Sequence, residues 1–199
     1  MNGYRIRQFS FPINSRAFEP SQLGSIVGSL FEVWLPFTMN GVMKHRCGNN
    51  NRETYPDLIL SSRERVELKL ILHCDHGKIL REPPLKESAA RLGHAVTEHN
   101  VESHDFALVV IYDIKVDKAA CFPEVVQCKP FPILELIRAR DADLVRRGGM
   151  WGRERPMVKA NTGGFKIDSN FGKLSRIPHA GLQTFLASAG VWPRSPGRS

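Results

Sequence analysis

The stretch DFALVVIYDIKV, residues 105–116, constrains the fold more than any other part of the chain. It is β-branched and strongly apolar, long enough for a central strand of a sheet. Its uninterrupted apolar part, ALVVIY at 107–112, is far too short to span a bilayer. Helical spacing flanks it on both sides. Leu23, Ile26, Val27, Leu30, Phe31 and Trp34 recur on one face, which predicts a helix over 21–35 capped by Ser21 and ended by Pro36. Leu85, Ala89, Leu92 and Val96 predict a second helix over about 84–99. A third is predicted over about 131–147, with Ile133, Leu134, Ile137, Leu144 and Val145 inward and Arg138, Arg140, Arg146 and Arg147 outward. Gly148 is its stop. The order helix, hairpin, helix, strand gives a mixed α/β domain, its central sheet covered by helices on at least one side.

The 199 residues are enough for one domain with a real core. The N-terminal MNGYRIRQFSFPIN lacks the apolar run of a signal peptide, so a cytoplasmic protein without a membrane partner is expected. Cys47, Cys74, Cys121 and Cys128 form no CxxC pair, which supports neither a disulfide scaffold nor a zinc ribbon. In His73-Cys74-Asp75-His76, neighbours on an extended chain would point to opposite faces and cannot all reach one ion. There is no Gly-rich phosphate loop, no Ser-His-Asp signature and no GxGxxG after a strand, so ATP-driven and nicotinamide chemistry find no support.

The hairpin YPDLILSSRERVELKL, residues 55–70, carries the chemistry. With the turn centred on Ser62, opposed residues have numbers summing to 124, so Asp57 lies across from Glu67. Lys69 then falls on the same face by the period of two. Leu58, Leu60, Val66, Leu68 and Leu70 point the other way, into the core. Two carboxylates about 5 Å apart at Cβ repel unless a cation lies between them, and an all-oxygen site suits Mg²⁺ or Mn²⁺. Such a cation lowers the pKa of bound water, and a nearby ammonium helps neutralise a phosphoryl transition state. The plain alternative is a surface salt bridge among the same three side chains. Pro56 removes a ladder donor and is expected at a strand's start or edge, which puts Asp57 near an opening.

Pro56-Asp57, nine intervening residues and then Glu67-Leu68-Lys69 resemble the signature of the PD-(D/E)XK nucleases, the superfamily of many type II restriction endonucleases. The resemblance covers roughly residues 21–116. It implies a restriction-endonuclease-like core, with Asp57 and Glu67 binding Mg²⁺, Mn²⁺ as a substitute, and Lys69 orienting or activating the attacking water. It further implies an acidic residue from the first helix, for which Glu32 is the match and Glu53 the second choice.

The basic charge is located. Residues 1–137 hold 16 basic and 16 acidic residues, whereas 138–199 hold 12 and 4, so the net +8 lies in the last third. A concentrated basic segment on a neutral body suits a polyanion, because neutralised phosphates release counterions. Residues of about 138–190 form the expected DNA-binding portion, with Arg153, Arg155, Lys159, Lys166, Lys173 and Arg176 as contacts; 191–199 is a flexible tail. Trp151 and Phe165 are candidates for stacking on bases, although burial is the commoner fate of aromatic rings. The first expectation is a sequence-specific double-stranded DNA endonuclease, for which a palindromic target would favour a homodimer. A repair or recombination nuclease of the same fold is the alternative, and a non-catalytic DNA-binding module is the third reading.

Overall fold

The apolar run does form the central strand, and the sheet around it sets where the hairpin charges lie. The computed structural model describes residues 11–12, 26–31, 34–35, 43–45, 55–73, 90–117, 120–153 and 155–191. The strands are β1 (Phe11–Pro12), β2 (Met43–His45), β3 (Leu58–Leu60), β4 (Arg65–Leu72), β5 (Phe106–Asp117), β6 (Ala120–Pro132), β7 (Met150–Gly152), β8 (Arg155–Lys159) and β9 (Phe165–Ile167). The first six make one mixed sheet in the order β1-β6-β5-β4-β3-β2. Its only parallel pair among the described strands is β4 with β5; the rest are antiparallel. The last three strands make a separate small antiparallel sheet.

Helical structure covers both faces of the large sheet, one face more than the sequence required. Val27, Phe31, Trp34 and Leu35, from helical residues 26–31 and 34–35, pack on Leu58, Val66, Leu68, Leu108, Val110 and Tyr112. On the other face, Ile71, Ala107, Val109 and Ile111 meet helix α1 (Ile133–Arg146) and helix α2 (Ala180–Ser188) through Ile133, Leu136, Ile137, Leu182 and Leu186. Alternate residues of β5 thus enter two different cores, which is why its sequence is apolar without alternation. Each such aliphatic side chain contributes about 1.5–3 kcal/mol by leaving water.

The helix expected over 84–99 is not found where the chain is described. Residues 90–99 are turns and one isolated bridge, Arg91 to Lys173; 84–89 lie outside the described residues. Their backbone bonds go to distant partners instead. Leu92 N donates to Gly172 O at 2.8 Å, and Leu174 N donates to Ala90 O at 3.0 Å. Leu92 and Val96 are still buried, so the apolar spacing was met by a looping chain rather than by a helix. Only glycine fits opposite: Gly172 has φ +71°, and a Cβ there would stand 2.0 Å from Leu92 O.

Helix α1 begins and ends close to expectation, with Gly148 (φ +70°) following its last turn, but two residues exchange roles. Arg140, expected outside, is buried, and Val145, expected inside, is 68% exposed. Arg140 is accommodated because Nη1 donates to Gly93 O at 2.6 Å, Nε donates to Asp141, and the guanidinium lies 4.7 Å from the Phe171 ring centre. A charge can be buried only with such partners. Arg138, Arg146 and Arg147 stay exposed and pair with Glu98, Asp143 and, for Arg147, also Asp168. Among the described residues no helix is long and apolar enough to cross a membrane.

Candidate active site

The hairpin register is the one the turn position implies. Leu58 pairs with Val66 and Ile59 with Arg65, and extending the ladder by one pair sets Asp57 against Glu67. The turn is closed by Leu60 N donating to Glu64 O at 2.9 Å and Arg63 N donating to Leu60 O at 3.0 Å. β3 begins only at Leu58, and one Asp57 oxygen (Oδ2) accepts the Leu68 N–H at 2.6 Å. The side chain thus takes over where the strand ladder has not yet started.

Glu67 and Lys69 lie on the sheet face that continues, at Ile71, into the core under α1 and α2. Glu67 is accordingly 7% exposed. Its Oε1 accepts from Lys69 Nζ at 2.7 Å, whereas Oε2 is buried without a hydrogen-bond partner. Burial pushes the Glu67 carboxyl above its usual range; Lys69 pulls it back, and the charge of Asp57 pushes it up again. A buried carboxylate oxygen with nothing to accept from is costly. A second carboxylate-lysine group shows the ordinary arrangement: on β5 and β6, Lys115 Nζ stands 3.1 Å from Asp113 and 3.7 Å from Glu124. There the ammonium bridges two carboxylates.

The donor set at Asp57 and Glu67 fits a hard divalent cation, in its all-oxygen chemistry and in the unpartnered Glu67 Oε2. Among the described residues no group of three or more His, Cys, Asp or Glu gathers as a metal cluster. Glu32 and Glu53, the candidates for a further acidic ligand, lie outside the described residues, as do Cys74, Asp75 and His76.

One residue holding this hairpin end escaped the sequence reading. Asp105, whose side chain is fully buried, accepts from Tyr55 Oη at 2.6 Å, from Arg65 Nη2 at 2.6 Å, and from the backbone N–H groups of Arg65 and Glu102 at 3.1 and 2.7 Å. Burial opposes its ionisation, but these donors win and hold the Asp105 carboxyl below its usual range. Burial, together with the bond to Asp105, raises the Tyr55 phenol. Arg65 thus forms a structural ion pair that ties the start of β4 to the residue before β5. Tyr55 precedes Pro56-Asp57 directly, so the same carboxylate anchors the segment that carries Asp57. No pattern within the hairpin announces Asp105, because it is 40 residues from Arg65.

The structure separates the six basic residues expected at DNA. Arg153, Arg155, Lys159 and Lys166 are exposed on or beside the small sheet. Lys173 and Arg176 instead line a small pocket with Arg140, Asp143 and Arg147. Trp151 is turned toward the body of the protein, edge-on to Phe171 with ring centres 5.3 Å apart, and Phe165 is exposed.

Comparison of the chain with protein-family models, with curated proteins and with solved structures gives no match. The reading of function therefore rests on the chemistry of the site.

Proposed function

We propose that the chain is a divalent-metal-dependent DNA endonuclease of the PD-(D/E)XK type, with a sequence-specific duplex as substrate in the manner of type II restriction enzymes. The observation that carries this reading is the buried, unpartnered oxygen of Glu67, set beside Asp57 and Lys69 on one hairpin. Asp57 and Glu67 would hold Mg²⁺ or Mn²⁺, joined by Glu32 if the first helix contributes. When bound, the cation supplies a water of lowered pKa and charge neutralisation at the phosphoryl oxygens. Lys69 has one donor committed to Glu67 Oε1, and an ammonium carries three. The remaining N–H groups orient the attacking water and stabilise the charge that grows on phosphorus-bound oxygen as the new P–O bond forms and the ester P–O bond breaks. Sinking the carboxylate into the sheet face keeps bulk water from screening these interactions.

Thermal denaturation separates this site from an inert ion pair. In metal-free buffer at pH 7, Glu67→Gln is expected to melt about 2–4 °C above the wild type, an effect of about 1 kcal/mol. The sign follows from the raised carboxyl. The folded state holds the proton more tightly than the unfolded one, so this stability is full below about pH 4.3 and is lost as pH rises through the folded value. Mn²⁺ reverses the order, stabilising the wild type by about 2.7 kcal/mol at a hundred times its Kd and leaving the variant unchanged. Equal melting of the two proteins and no response to Mn²⁺ would leave Glu67–Lys69 a structural salt bridge.

A further inference from the structure

Four of the six large apolar side chains exposed among the described residues belong to the small sheet: Met150, Trp151, Phe165 and Ile167. The strand registers sort them by face. Met150 opposes Met157, Met157 opposes Ile167, and Lys159 opposes Phe165, so these five residues, with Arg155 two positions before Met157, share one face. Trp151 opposes Pro156, and Val158 opposes Lys166, on the other. That second face is the inner one, since Pro156 is buried and Trp151 packs on Phe171. The outer face therefore presents Met150, Phe165 and Ile167, 48%, 45% and 53% exposed, between the cations Arg155 and Lys159. Residues 150–167 contain four basic residues and one acidic residue, Glu154.

We infer that this outer face binds DNA whose bases are unstacked, a single strand or a locally opened duplex. Arg155 and Lys159 on this face favour a polyanion and disfavour a second copy of the same cationic face. Exposed apolar and aromatic side chains gain nothing from phosphates, but they stack on or wedge against base faces, while Arg155 and Lys159 grip the backbone on either side. Phe165 and Lys159, directly opposed, form the unit: a ring for the base and an ammonium for its phosphate. The inference rests on the nuclease reading for the identity of the polyanion, and it names the state of the DNA that the enzyme holds.

Fluorescence anisotropy with a labelled mixed-sequence single strand and its duplex, both in EDTA, tests this without cleavage. The wild type is expected to bind the single strand more tightly than the duplex. The double variant Phe165→Ala/Ile167→Ala is expected to bind the single strand about tenfold more weakly, with duplex affinity changed less than about twofold. Lys159→Ala should weaken both and flatten the salt dependence by about one phosphate contact. All three side chains are exposed, so the fold is not at stake. A preference for the duplex, or single-strand binding unaffected by the double variant, overturns the inference. So does binding to anionic lipid vesicles with none to DNA. If single-strand binding behaves as expected and Mg²⁺ gives no cleavage, the sheet assignment stands and the catalytic reading falls. Metal-dependent cleavage with an indifferent sheet means the reverse.

Discussion

Replacing Lys69 by Met is expected to lower Mg²⁺-dependent phosphodiester cleavage about 10²–10³-fold, the usual loss when one pre-positioned charge donor is removed from a reacting centre. Met keeps most of the aliphatic stem, so the packing beside Glu67 changes little while the ammonium disappears. Lys69 is mostly buried and bonded at 2.7 Å to a carboxylate that is itself buried, so its Nζ is held in place. Cleavage measured at a single turnover, with circular dichroism to verify the fold, reports the chemical step. A rate within about threefold of the wild type would remove Lys69 from the chemistry, being under 1 kcal/mol of transition-state stabilisation.

The largest structural effect is expected at Asp105. Asp105→Ala takes from Arg65 its buried partner, leaving only the more exposed Glu102 at 3.3 Å, and removes the acceptor for Tyr55 Oη and two backbone N–H groups. Breaking a buried pair costs about 3–5 kcal/mol. Arg65 keeps about a quarter of its side chain in water, so the expected loss is near the lower end, about 3 kcal/mol, or a fall of roughly 6–12 °C in Tm. The pH dependence runs opposite to that of Glu67. The depressed Asp105 carboxyl contributes stability above its ordinary value near pH 3.9, and that stability is lost as pH falls through the folded value. The wild type should therefore lose stability in acid more steeply than the variant. Parallel acid titrations of the two proteins would show that the anchor contributes little.

These two sites differ in how far the sequence disclosed them. The hairpin was legible because Leu58, Val66 and Leu68 must enter the core, and a four-residue polar turn then admits one register. That register places Asp57, Glu67 and Lys69 together from local information alone. β5 was legible for a related reason, a continuous apolar run that only a covered strand tolerates. The errors came where long-range partners override local pattern. Arg140 reads as a surface residue of an amphipathic helix until Gly93 O, 47 residues away, accepts its proton. Leu92 and Val96 have helical spacing, but the Leu92 N–H goes to Gly172 rather than to a neighbouring turn. Asp105 takes one donor locally, from Glu102, but the donors from Tyr55 and Arg65 are 50 and 40 residues away and reach it only through the sheet, where β4 pairs with β5. The burial of Glu67 was hidden likewise, since the face that looked open in an isolated hairpin runs into the core beneath α1 and α2.

The central claim is most directly tested by incubating a mixed-sequence plasmid with the wild-type protein in Mg²⁺, in EDTA, and in Mg²⁺ with Lys69→Met in parallel. Discrete fragments in the first reaction and intact plasmid in the other two are expected. Intact plasmid in all three, with the protein shown to bind the DNA, would contradict the nuclease reading and leave the hairpin charges a salt bridge.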